Sequence, residues 1–252
     1  MVKKLFKYEF LAYIRVLFPV YIAMLGVSVL GRILMIFEND TTSSDLLIGS
    51  SIFMYGATVL VAFGFVGIYA ITRFQKNMFS GEGYLTLTLP ATAAQHIWSK
   101  LLAAMLFSLF SLIAFVVSFC IITAGDVLKE VFNAFVYLVK DLVFSKYVFY
   151  IVEAVLSVVL GLASSILLFY TCISIGQLFK KNRTFGAVVA YFGYSFVVQI
   201  LSSVALALLV ESPYIGDVIE FIIQRNYIIS GIMSVVFFFV TRHIITNKLN
   251  LE

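Results

Sequence analysis

The sequence predicts an all-α integral membrane protein, with six transmembrane helices, an N-terminal amphipathic elbow helix and both termini in the cytoplasm. Three observations lead there. Of the 252 residues, 62% are hydrophobic and 12% charged, whereas a soluble domain carries roughly 45 to 50% apolar and about 25% charged residues. The apolar residues gather into six runs long enough to cross a bilayer. The Lys and Arg residues fall between those runs with a strong bias to one side. The runs are continuous and lack period-two alternation, which excludes an outer-membrane barrel.

A helix rising 1.5 Å per residue needs about 20 apolar residues to cross the hydrocarbon core. Runs of that kind lie at 19–37, 47–72, 97–124, 148–179, 185–210 and 227–245. The fourth exceeds one bilayer thickness and is expected to tilt or protrude. The sixth reaches crossing length only by including Thr241, Arg242 and His243 at its end, where Arg242 can snorkel to the headgroups.

Orientation follows from the 17 Lys and Arg residues. Twelve of them, from Lys3 to Lys248, fall on one side with the acids Glu9, Glu82 and Glu252; the other side holds five, Arg32, Lys129, Lys140, Lys146 and Arg225, with ten acids. The basic-rich side is cytoplasmic by the positive-inside rule. No removable signal peptide is expected, because the short N-terminal apolar stretch has no small-residue cleavage site. The net charge of +4 is split by apolar spans, so no nucleic-acid-binding surface follows from it. Cys120 and Cys172 are expected at opposite ends of their spans and therefore unpaired.

Residues 1–18 place Phe6, Phe10, Tyr13, Ile14 and Leu17 on one helical face and Lys3, Lys4, Lys7 and Arg15 largely on the other. This predicts an interfacial helix on anionic lipid that turns into the first span at Pro19, or else a plain orientation signal. Residues 126–146 repeat the stripe outside, with Leu128, Val131, Phe132, Phe135, Val139 and Leu142, as an extracellular amphipathic helix that is either a cover or a gate. Residues 211–226, with Pro213 and Gly216, predict a short extracellular or re-entrant segment before the last span.

The loop over 73–96 is the most informative stretch. Gly81 and Gly83 permit a tight turn, Tyr84, Leu85, Leu87 and Leu89 offer apolar anchors, and Pro90 stops the segment. Ringed by Arg73, Lys76 and Glu82, it has the composition of a surface that docks a soluble partner, or of an interfacial loop resting on lipid.

The order of elements resembles the permeases of ABC-2-type (type V) ATP-binding-cassette exporters, in the short bacterial form that works with a separate ATPase chain. The resemblance covers the whole chain and rests on the elbow helix, the six spans, the loop Ser80-Gly-Glu-Gly-Tyr-Leu-Thr-Leu-Thr-Leu-Pro90 followed by Lys100, and short extracellular helices. It implies that Gly81, Glu82, Gly83, Tyr84, Leu85 and Pro90 belong to or border a coupling helix seated on the ATPase, with Lys100 at the membrane boundary. It further implies two ATPase copies, a second permease in a homo- or heterodimer, and a place in the bacterial cytoplasmic membrane. The helix at 126–146 is larger than a minimal family member needs.

No Gly-x-x-x-x-Gly-Lys-Ser/Thr phosphate loop occurs, so ATP and Mg are expected on the partner and no cofactor or catalytic residue on this chain. His96 and His243 lie in separate elements without ligand spacing, and no metal site is expected. Among isolated polar groups in the spans, Arg32 pairs with Glu38, snorkels or binds substrate, and Glu153 lies near an outer span end. Gln199, mid-span, is the candidate for a polar contact in a cavity, across a dimer or between helices. Gly161 and Ser165 form a small-residue pair. The expected function is export of an amphipathic or lipophilic substrate, such as an antimicrobial peptide, drug or lipid. A membrane scaffold or sensor that recruits a cytoplasmic partner is the alternative. An ion-coupled carrier would need mid-span carboxylates and internal repeats, and neither is evident. With this topology, a cysteine placed at Lys181 reacts with an impermeant maleimide only after the membrane is opened; labelling of intact cells would overturn it.

Overall fold

The computed structural model describes residues 2–36, 42–80, 91–123, 129–130, 132–133, 136–137, 148–179, 182–210 and 215–247. All regular structure among them is helical. The long helices are α1 (Val2–Ile36), α2 (Thr42–Phe79), α3 (Ala93–Ile122), α4 (Val148–Gly176), α5 (Arg183–Val210) and α6 (Ile215–Asn247). Each contains a stretch long and apolar enough to cross a membrane, the architecture of a multi-pass membrane protein. Cys120 and Cys172 are both free thiols.

Three helix boundaries differ from the sequence expectation. The chain does not turn at Pro19, which lies inside the 35-residue α1. Proline removes one backbone hydrogen bond, a loss that membrane helices tolerate through neighbours and local adjustment. The buried residues Glu9, Tyr13, Leu17, Met24, Ser28 and Gly31 form one stripe at helical spacing on both sides of the proline.

At the other end of the same pattern, α2 continues to Phe79 and α3 begins at Ala93, which leaves 80–92 between them instead of 73–96. Ala62, Val66, Ala70, Phe74 and Met78 are buried at steps of four, so the packed face of α2 extends beyond its apolar run. Similarly, residues 215–226 are the first turns of α6 and not a separate element. Of the segment 126–146, the described residues 129–130, 132–133 and 136–137 are helical, and the rest lies outside the described residues. Phe132 and Tyr137 are exposed there.

The chain divides into two compact units. The first comprises Lys3–Tyr69 and Leu102–Phe149. In it Tyr13 of α1 meets Tyr69 of α2 edge-on at 4.8 Å and stacks on Phe107 of α3 at 5.1 Å. The Tyr69 hydroxyl donates to the Ala12 carbonyl at 3.1 Å. The Tyr21 hydroxyl donates to the Phe107 carbonyl at 3.1 Å and lies 2.8 Å from Ser111 Oγ. Farther along, the Tyr55 and Ser118 hydroxyls are 2.9 Å apart, and Gly31 faces Ser51 and Ile122.

These pairings set direction. Tyr13 to Gly31 on α1 and Ser51 to Tyr69 on α2 each span 18 residues, about 27 Å of helix, and run oppositely. That length matches the hydrocarbon thickness of about 30 Å. α3 runs with α1, since Phe107 lies at the Tyr13 level and Ile122 at the Gly31 level.

The second unit comprises Met1–Val2, Ala70–Leu101 and Tyr150–Glu252. Its α4–α5 turn is very close. A Cβ at Gly176 would lie 2.5 Å from the Arg183 carbonyl oxygen and 2.7 Å from the Ala187 nitrogen, and one at Gly186 would enter the Phe179 ring. Gly161, by contrast, faces open space. Gly176→Ala is therefore expected to lose about 1 to 3 kcal/mol through overpacking, while Gly161→Ala is neutral or stabilising. Thermal unfolding in detergent checks the pair, and equal transitions would refute the close turn.

Candidate functional site

The loop residues Gly81, Glu82, Gly83, Tyr84, Leu85 and Pro90 lie outside the described residues. What the structure describes is the base from which that loop departs, all of it in the second unit. α2 ends at Phe79 and Ser80 is exposed. α3 is started by a reciprocal cap: the Thr92 N–H donates to Gln95 Oε1 at 3.1 Å, and the Gln95 N–H donates to Thr92 Oγ1 at 3.4 Å. This capping box satisfies two of the N–H groups that a helix start leaves open.

The helix ends beside the loop are deeply packed. On α2, Phe74 and Met78 are fully buried. The Phe74 ring stacks on Tyr170 of α4 with centroids 3.9 Å apart and planes at 9°, and meets Phe79 edge-on at 5.7 Å. On α3, His96, Ile97, Ser99, Lys100 and Leu101 are all buried, so the first turns of that helix are covered on most of their circumference. Trp98, the exposed exception, lies 5.4 Å from Phe238 of α6.

Behind this layer, the Thr171 hydroxyl of α4 is 3.0 Å from that of Thr241 of α6 and also donates to the Leu167 carbonyl at 2.8 Å. Both threonines are buried. The termini of α2, α3, α4 and α6 thus form one polar-cored joint.

Lys100 is 3% exposed and engaged by its surroundings. Its ammonium is held within protein, where a charge persists only with partners. His96 is 1% exposed and likewise engaged. The burial of these two polar residues has no counterpart in the hydropathy pattern. Thr92-x-x-Gln95, in contrast, is a readable signal for the start of α3 that locates the loop boundary.

The second candidate position, Gln199, is on α5, a helix that buries only Gly186 among its described residues. α5 is held through Tyr191, stacked on Phe169 at 5.4 Å, and Tyr194, edge-on to Phe237 at 5.4 Å. Its opposite face presents Phe185, Val189, Phe192, Phe196, Gln199 and Ser203, alternating steps of four and three. Gln199, Gly193 and Ser195 border a shallow groove on this face. An exposed amide at mid-span is placed against lipid unless another helix covers it.

Arg32 is half-buried in α1. Glu153 is buried in α4, and its Oε2 has no hydrogen-bond partner among the described residues. Among the described residues no three His, Cys, Asp or Glu side chains come together to hold a metal.

Comparisons with protein-family models, with curated proteins and with solved structures give no match. The double-mutant cycle of Thr171→Val and Thr241→Val is expected to show coupling of about 0.6 kcal/mol, and at most about 1.7, the range for interhelical hydrogen bonds in membranes. Stability in bicelles by steric trapping measures it; strict additivity would mean that the hydroxyl pair does not tie α4 to α6.

Proposed function

We propose that this chain is the permease subunit of an ATP-driven exporter, seated in the bacterial cytoplasmic membrane with both termini inside and coupled through residues 81–90 to a separate ATPase carrying ATP and Mg. The observation that carries this reading is the joint beneath the loop. The helices on either side of residues 81–90 are anchored by the Phe74–Tyr170 stack and the Trp98–Phe238 contact into the ends of α4 and α6. A displacement imposed on such a loop reaches two further spanning helices without first melting a flexible segment.

The apolar anchors Tyr84, Leu85, Leu87 and Leu89 supply a docking surface, and the excess of Lys and Arg on that side supports its cytoplasmic location. The N-terminal half of α1, basic on one side, serves as the elbow of this reading, continuous with the first span. ATP then acts by population shift, favouring whichever permease state the docked loop stabilises. Spans with few fixed charges suit an amphipathic or lipophilic substrate.

A second permease belongs to the same reading. The α5 face repeats every seven residues and carries Gln199, whose amide donates and accepts and is therefore complementary to its own copy across a two-fold axis. Homodimerisation along α5 removes that amide from lipid.

Three experiments test the proposal. The tagged chain, extracted in mild detergent from its own host, is expected to bring down a stoichiometric soluble protein with a phosphate loop. A chain that purifies alone in detergent and in nanodiscs would favour the scaffold reading. Tyr84→Asp together with Leu85→Asp is expected to abolish transport-coupled stimulation of the ATPase while the thermal transition of the membrane part stays unchanged; unaltered coupling would count against docking at this loop. For the dimer, a cysteine at Phe196 is expected to cross-link to its copy, and Gln199→Leu to weaken that dimer about three- to tenfold.

A further inference from the structure

The second unit contains a pocket of about 330 Å³ that shares no residue with the loop joint and only Val188 and Phe192 with the groove on the outer face of α5. Three helices wall it. α2 contributes Ile71 and Gln75, α4 one face from Phe169 through Cys172 and Ile173 to Gln177, and α5 one face from Arg183 to Phe192. The volume is at the small end of ligand sites, enough for part of an amphiphile.

Its polarity is graded along the helix axes. Gln75, Gln177, Arg183 and Thr184 form one end, and Ile71, Phe169, Tyr191 and Phe192 the other. The polar end coincides with the edges of the candidate spans, which close at Phe79 on α2 and Gly176 on α4 and open at Arg183 on α5. From Arg183 to Phe192 the helix advances about 13 Å, close to half of the roughly 30 Å hydrocarbon thickness. The pocket therefore has the depth and the polarity profile of one bilayer leaflet.

Its charge is equally one-sided. Among the described residues that line the pocket, Arg183 carries the charge. A guanidinium offers forked donors to a phosphate, and the glutamine amides and the threonine hydroxyl add neutral donors. Lateral access exists, because Val188 and Phe192 at the pocket wall are also exposed on the outer face of α5.

We propose that this pocket is a binding site for an anionic phospholipid, with the headgroup phosphate on Arg183 between Gln75 and Gln177 and one acyl chain against Phe169, Ile173 and Tyr191. The occupant comes from the surrounding leaflet and wedges between α2 and the tight α4–α5 turn. The inference needs only the membrane setting and stands whether or not the chain is a permease.

Native mass spectrometry of the full chain, released from detergent after titration with phosphatidylglycerol or phosphatidylcholine, tests it. One phosphatidylglycerol is expected to survive per chain, with phosphatidylcholine retained about tenfold less. Arg183→Gln is expected to weaken phosphatidylglycerol retention about tenfold. Val188→Trp, which fills the wall from the exposed side, is expected to block it, whereas Val197→Trp, on α5 but outside the pocket, leaves it unchanged. Equal retention by wild type, Arg183→Gln and Val188→Trp would reduce the bound lipid to an unspecific annulus and overturn the site. Displacement of the lipid by millimolar inorganic phosphate alone would also overturn it, since the apolar wall would then contribute nothing.

Discussion

Hydrocarbon offers no hydrogen-bond partners, and every other feature of this protein depends on that constraint. A backbone that crosses it must satisfy its own N–H and C=O groups, and all regular structure among the described residues is helical. Side chains obey the same rule. Ser157, Ser164, Ser165, Ser202, Ser203 and Ser234 each turn their hydroxyl back to a carbonyl three residues earlier on the same helix. Such bonds hide polarity but hold nothing together. Other hydroxyls bridge helices and fix register, among them Tyr21 with Ser111, Tyr55 with Ser118, Tyr69 with the Ala12 carbonyl and Thr171 with Thr241.

Because apolar packing gains little over lipid contact in a bilayer, specificity has to come from close approach, from aromatic contacts and from those few polar bridges. Their distribution is uneven. The first turns of α3 are buried on most sides and Phe74 stacks on Tyr170, whereas α5 buries only a glycine among its described residues. The proposed permease role would use this contrast. Parts that receive force must be stiff, and parts that meet lipid, substrate or a second subunit must remain accessible. The close turn at Gly176 and Gly186 makes α5 dependent on α4 in spite of its exposure.

Much of the fold was legible in the residues. The six runs at 19–37, 47–72, 97–124, 148–179, 185–210 and 227–245 each fall within or largely overlap a helix, because a 20-residue apolar stretch has one stable state in a membrane. The helix ends were less legible. Arg73 to Phe79 read as loop by hydropathy, yet the stripe of Phe74 and Met78 keeps them helical; Pro19 read as a turn, yet the packed face of α1 runs past it. Residues 215–226 read as a separate segment yet are continuous with α6, since polar residues near a membrane edge can belong to a helix that extends into the headgroups. The candidate site was legible as a composition, glycines and apolar anchors between two spans, but not as a joint.

Composition and periodicity alone therefore determined the helical state and the number of helices long and apolar enough to cross a membrane, since transfer of residues between water and hydrocarbon is close to additive along the chain. Tertiary structure decided that Lys100 and His96 are buried, that Phe74 stacks on Tyr170, that Gln199 faces outward and that a leaflet-deep pocket ends at Arg183. These depend on which helix lies against which and at what rotation. Hydropathy is nearly blind to rotation, because a lipid-facing side chain and a helix-facing one can be equally apolar.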